Sequence, residues 1–285
     1  MIRYNLVKGT SRRRWAFIFS TAFLFALLIW FLNHIVPFKN IWEPFYTEQD
    51  IGTFFCEKTI MENIVRQPIN TFSNFIYWIS AVIILRRGIK DFNRNNHYNI
   101  ISANPFYSIL LGVILLYIFC ASVFFHSSLI HFAAQLDFSA VYSLTLYPLM
   151  YFAHRVWLLR IGVPSNQRHP KSRRTLIAAF TISYLLLTFF MPNSIKLYAE
   201  LSMIIFLVIL GIIVEHSADP GKTNHYYLLA SSGCILLGVV SYAIDVKKLI
   251  CYPGNPIQPH SLWHLFSGMA VFYFYMYIRS EKNKI

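Results

Sequence analysis

Two histidines four residues apart, His260 and His264, stand in the stretch Pro259-His260-Ser261-Leu262-Trp263-His264 at the head of an apolar run. On a helix this spacing puts both imidazoles on one face, about one turn apart. A histidine within a membrane span is expensive unless it binds something or lines a polar cavity. Upstream, Ser122-Val123-Phe124-Phe125-His126 supplies a third imidazole with a hydroxyl one turn before it, and Asp137 follows eleven residues later. Three neutral imidazoles and a water form a common catalytic zinc site, and zinc lowers the pKa of water to about 7. A carboxylate such as Asp137 can accept or relay the proton. Ser122 is too weak a donor to be a firm metal ligand and suits a developing oxyanion better. Together these residues point to metal-dependent hydrolysis inside a bilayer.

Elements must carry those residues to one place. Of the 285 residues, 56% are hydrophobic and only 13% are charged, against about 25% charged in a soluble domain. The fold class expected is an all-α polytopic membrane protein. Eight apolar segments are long enough to cross a hydrocarbon core of about 30 Å. They lie near residues 15–36, 68–86, 105–127, 133–158, 174–191, 195–215, 225–245 and 260–279. Arg12, Arg13 and Arg14 ahead of the first segment imitate a signal peptide. Its apolar core is too long for one and lacks a small-residue cleavage site, so it is expected to remain as an anchor. Asn193-Ser194 after Pro192 predicts a tight turn between two helices.

The formal charge of +13 raises the question of nucleic acid. The basic residues are spread over several short loops, so membrane topology explains them better. Most fall on one side if the N-terminus is cytoplasmic; Lys39, Lys58, Arg66, Lys196, Lys247 and Lys248 alone fall on the other. Both termini are therefore expected in the cytoplasm, with an even number of spans. The first outer loop, roughly residues 37–67, is acidic, with Glu43, Glu48, Asp50, Glu57 and Glu62.

With the helix directions set by Lys and Arg alone, Ser122, His126, Asp137, His260 and His264 all come to the extracytoplasmic end of three helices. Asn70, Ser73 and Asn74 on the second helix, Glu200 on the sixth and Asp245 at the end of the seventh share that level. Polar groups in lipid need internal partners, and a common cavity would satisfy them together. Metal-bound histidines usually need an acceptor behind them; Asp245 or Glu200 can serve. His34, His97, His154, His169, His216 and His225 read as interfacial or structural residues, and His131, in a short loop, as structural too. Cys120 and Cys234 read as plain core residues within apolar runs. Cys56 and Cys251 lie in polar loops on the outer side and can pair if that compartment oxidises.

The pattern Ser122-x3-His126, then Asp137, then His260-x3-His264 resembles that of the alkaline ceramidases, members of a superfamily of seven-helix hydrolases that includes the progestin and adiponectin receptors. Cys56-Glu57 followed by Asn70-Thr71-Phe72-Ser73-Asn74 resembles the ceramidase N-terminal signature, as do Asp245, Cys251 and His260-Ser261-Leu262-Trp263-His264-Leu265. The resemblance implies one added transmembrane helix ahead of a seven-helix ceramidase-like bundle, eight spans in all. Its domain expectation is residues 1–52 for the N-terminus, extra helix and start of the outer loop, 53–279 for the seven-helix domain, and 280–285 for a cytoplasmic tail. It implies a zinc-dependent amidase that splits ceramide, or a related N-acyl lipid, into a sphingoid base or amine and a fatty acid. His126, His260 and His264 would hold zinc, Asp137 would handle protons, Ser122 would assist the metal or the transition state, and Cys56 and Cys251 would form the family's disulfide. Asn70 and Asn74 join Asp245 and Glu200 as residues expected to support the ligands.

Eukaryotic members carry an Asp-Trp-Cys-Glu run and further Asn and Glu residues that bind calcium. Here the run reads Phe54-Phe55-Cys56-Glu57, with Thr59 and Gln67 where Asn and Glu are expected. These departures weigh against a calcium site. Two rival readings have their own marks. A zinc-stabilised receptor or lipid-binding protein would show metal-dependent stability with little turnover. A transporter would show broken, Gly- or Pro-interrupted helices at matching positions in two halves, which this sequence lacks.

Overall fold

In lipid, backbone N–H and C=O groups must find partners within the chain, and long apolar runs do so as helices. The computed structural model describes residues 12–34, 41–46, 55–94, 99–162, 169–191, 196–217 and 223–281; within these, the side chains of residues 12–15, 94, 159, 196–201 and 214–217 lie outside the description. The helices are α1 (Arg12–His34), α2 (Pro68–Ser73), α3 (Phe75–Arg94), α4 (Ile100–Ala103), α5 (Phe106–Ser128), α6 (His131–Arg160), α7 (Pro170–Phe190), α8 (Lys196–Ser217), α9 (His225–Val246) and α10 (Pro259–Arg279). No strand occurs among the described residues. Five helical stretches are long and apolar enough to cross a membrane: Ala16–His34, Pro68–Asn93, Phe106–Ser128, Pro170–Phe190 and His225–Val246. The two helices that carry Asp137, His260 and His264, α6 and α10, are absent from that group because their polar residues dilute the apolar run.

The second apolar segment is not one helix. It breaks at Asn74 into α2 and α3, where Asn74 donates from Nδ2 to the Asn70 carbonyl at 2.9 Å. A side chain that bonds its own preceding turn competes with the regular ladder. Several expectations fall outside the described residues: the Asn193-Ser194 turn, the side chains of Glu200 and His216, His97, and Glu48 and Asp50 of the acidic loop. The expectation that Cys120 and Cys234 are core residues is corrected. Both are free thiols, Cys120 is exposed and Cys234 half-buried. An apolar run in lipid does not distinguish its core face from its lipid face, because both are apolar.

The main core lies between α3, α5, α6, α9 and α10, around Ile84, Leu111, Leu115, Tyr147 and Tyr277. Its far end, away from the loop that holds Phe55, is a buried polar layer. Arg279 donates to Asp91 and, at 3.3 Å, to the Tyr275 hydroxyl. Arg155 donates to the Tyr277 hydroxyl at 3.0 Å and stands 3.7 Å from Glu281. His154 is engaged at both ring nitrogens, Nδ1 with the Tyr107 hydroxyl at 2.6 Å and Nε2 with Ser172 at 3.1 Å. A smaller cluster of Phe55, Phe125, Leu129, Ile130, Ala133 and Ala134 closes the opposite end.

Candidate metal centre

His126 ends α5, and His260 and His264 open α10. The start of α10 is fixed by Pro259 in its first turn and by the Ser261 hydroxyl, which accepts the Gln258 backbone N–H at 3.3 Å. All three imidazoles are buried. Their ring centroids are 4.6 Å (His260 to His264), 4.9 Å (His126 to His260) and 5.1 Å (His126 to His264) apart. One nitrogen from each lies within 4.8 Å of the others, the one such three-residue group among the described residues.

Outer partners set the tautomer of each ring. His126 Nδ1 is 2.9 Å from Gln67 Oε1. That atom also receives Asn70 Nδ2, and Gln67 Nε2 donates to Thr59; the amide oxygen therefore accepts and Nδ1 of His126 carries the hydrogen. Ser73 donates its own hydrogen to the Asn70 carbonyl at 2.8 Å, so at 2.7 Å from His264 Nδ1 it accepts. His260 Nδ1 faces Asp245 Oδ2 at 3.6 Å, and neither atom has a hydrogen-bond partner elsewhere. The other oxygen of Asp245 accepts the Cys56 N–H at 3.0 Å. His126 Nε2 is buried with no partner, and a hydrogen on Nδ1 of His260 and His264 as well would leave one lone pair on each ring free for an ion. A buried acceptor without a donor is costly, and a cation held by the three rings would satisfy it. The donor set, neutral imidazoles with acceptors behind them, fits zinc.

Ser122 lies one turn before His126 on α5, buried, and its hydroxyl bonds the Asp137 carboxylate on α6. Asp137 stays half-exposed and is within electrostatic reach of Tyr77. The Tyr77 ring is 6.1 Å from that of His264, and its hydroxyl bonds Ser267 at 2.6 Å. Tyr77, Trp263 and Ser267 also form the near end of an apolar cavity that runs between α5, α6, α8, α9 and α10 to Phe152, Leu228 and Phe274. Along α10, His264 to Phe274 corresponds to about 15 Å of helix.

Cys56 and Cys251 are joined in a disulfide with 5.4 Å between their Cα atoms. Asn70 and Asn74 are fully buried, and neither side chain touches an imidazole among the bonds described; Asn70 instead supplies the carbonyl that holds Ser73. The residues do not fit calcium. Both oxygens of Glu57 are taken by backbone N–H groups, those of Ile69 and Asn70 at 2.8 Å each, which caps the start of α2. Thr59 and Gln67 bond one another. Phe54 lies outside the described residues.

Sequence reasoning missed the part played by Gln67 and Ser73. Gln67 stood out only as a departure from an acidic position, and Ser73 only as one more polar group at the right level. Their partners are on other helices, so spacing along the chain carries no signal of the pairing.

The ceramidase family matches residues 52–283. The chain belongs to the ceramidase family, a membership that implies hydrolysis of the ceramide amide. No curated protein and no solved structure matches the chain.

Proposed function

We propose that this chain is an intramembrane zinc-dependent amidohydrolase that cleaves ceramide or a related N-acyl lipid. The observation that carries the reading is the convergence of three buried, outwardly pinned imidazoles beside an apolar cavity. His126, His260 and His264 would hold the ion, with Gln67, Asp245 and Ser73 keeping the rings in place. A bound zinc ion supplies a Lewis acid toward the amide carbonyl and toward water. Asp137 takes the proton from the attacking water and returns it to the amine that leaves, a general base and then a general acid. Ser122 holds the Asp137 carboxylate in position. The cavity from Tyr77 to Phe274 receives a hydrocarbon chain and excludes water around the amide, which strengthens charge interactions there.

The chain crosses the membrane eight times in this reading, α1 being an addition to a seven-helix bundle formed by the rest, with both termini cytoplasmic. The metal centre then lies at the extracytoplasmic end, on the same side as the Cys56–Cys251 bridge, in keeping with an oxidising compartment. The test is release of fatty acid from labelled ceramide by purified protein, with zinc measured on the same sample. His126→Ala should lose both zinc and turnover. A well-folded His126→Ala protein that still hydrolyses ceramide would reject the reading.

A further inference from the structure

The segment ahead of the family match, α1 and the turn at Glu43–Phe45, carries hydrogen bonds that no membrane anchor requires. α1 is a poor partner by packing. Phe17, Phe19, Phe23, Leu24, Leu28 and Trp30 are all exposed, while Ile18 and Ile29 are buried and Phe25 meets Phe75 edge-on and Phe119 at a tilt. An asparagine near the end of such a helix is costly in lipid unless its amide is used. Asn33 uses both ends of it on one backbone unit: Oδ1 accepts the Val65 N–H at 2.9 Å and Nδ2 donates to the Val65 carbonyl at 3.5 Å. Trp42 then donates from Nε1 to the Ile64 carbonyl at 2.8 Å. Tyr46 lies under the Arg66 guanidinium at 4.6 Å, and both side chains bond the Ser128 carbonyl, at 3.2 and 3.0 Å.

Residues 64, 65 and 66 are thus each held by this segment, and the next residue is Gln67. Its backbone N–H donates to the His126 carbonyl at 3.1 Å, and its Oε1 receives Nδ1–H of His126 at 2.9 Å. We propose that Asn33 and Trp42 are positioning residues for the metal centre: they brace the backbone of Ile64 and Val65, so that Gln67 keeps His126 in the tautomer and orientation that binds the ion. The extra helix is then a working part of the hydrolase, acting from outside the family's own bundle. The brace rests on the zinc reading above.

The test uses the full-length protein in detergent or nanodiscs. Three quantities are read: zinc affinity by chelator competition, kcat and KM for labelled ceramide, and the visible spectrum of the cobalt-substituted protein. Asn33→Leu removes both bonds to Val65. Trp42→Phe keeps an aromatic ring against Phe124, 5.8 Å away, and removes only the N–H. Each should weaken zinc binding about three- to tenfold, the loss of a typical net hydrogen bond. Each should also shift the cobalt bands and lower kcat more than it changes KM. Asn33→Asp keeps the 2.9 Å acceptor and should stay within about twofold of wild type. Wild-type zinc affinity and spectrum in both Asn33→Leu and Trp42→Phe would overturn the brace, as would an Asn33→Asp protein as impaired as Asn33→Leu. If Asn33→Leu does not fold, Trp42→Phe and Asn33→Asp decide between them. Wild-type protein that binds no zinc would defeat the metal reading itself, which separates the two failures.

Discussion

The two ends of this bundle both bury polar side chains, and they bury them in opposite ways. At the far end each cation meets an anion or a phenol: Arg279 with Asp91 and Tyr275, Arg155 with Tyr277 and Glu281. His154 there has a partner on each nitrogen. At the loop end three imidazoles crowd together, two of them bonded on Nδ1 to Gln67 and Ser73 and the third facing Asp245 at 3.6 Å, with His126 Nε2 left without a partner. The first arrangement is complete as it stands and holds helices together. The second has the donor set of a cation site, and in the reading proposed above an added ion completes it. Burial and polarity are alike at the two ends; the balance of donors and acceptors tells a staple from a site.

Damage at the two ends should therefore be read by different instruments. The largest effect is expected from His260→Ala, which should abolish stoichiometric zinc and ceramide turnover together; a variant that keeps its zinc would place the ion elsewhere. Arg279→Met leaves the buried Asp91 with only the longer, half-exposed approach of Arg87 at 3.8 Å, a loss of up to about 3–5 kcal/mol of stability by the usual behaviour of broken buried pairs. Its zinc content per folded molecule should be unchanged, and a fall in zinc without a fall in melting temperature would erase the distinction between the ends. Asp245→Asn removes the charge behind His260 and should weaken zinc binding or activity about 10- to 100-fold, measured by chelator competition. An affinity equal to wild type would show that the 3.6 Å approach carries no weight.

The smallest effect belongs to Glu57, in the loop between the disulfide and α2. Burial raises its carboxyl from 4.5 to about 7, in spite of the two backbone N–H groups it accepts. A carboxyl raised on folding favours the folded state most where it is protonated. That contribution is complete below about 4.5 and is lost as the pH climbs through about 7. Melting temperatures of wild type and Glu57→Gln should thus move relative to each other only across that window, with the wild type losing ground as the pH rises. A difference that stays flat from pH 4 to 8 would mean that Glu57 is not buried as an acid.

Much of this was legible in the sequence because lipid simplifies the code. Apolar runs long enough to span gave the helices to within a few residues, and Lys and Arg alone brought His126, His260 and His264 to one level, where the fold puts them together. The break at Asn74 was hidden, since a side chain that bonds its own previous turn leaves the apolar pattern of residues 68–86 intact. So was the outward turn of Cys120, because lipid and protein core select the same residue types. His154 and His126 look alike on paper, each a lone histidine in an apolar helix. What separates them is whether a second nitrogen finds a donor, and that depends on Ser172 and Gln67, which arrive from elsewhere in the chain.

Cys56 has two duties that meet in one residue. Its sulfur is bound to Cys251, and its backbone N–H is bound to Asp245, whose other oxygen looks at His260. A reductant would never touch the imidazoles, yet it would free the chain segment that steadies the carboxylate behind one of them. If the three imidazoles hold an ion as proposed, the redox poise of the surrounding compartment would reach the ability to load it without any thiol among the ligands.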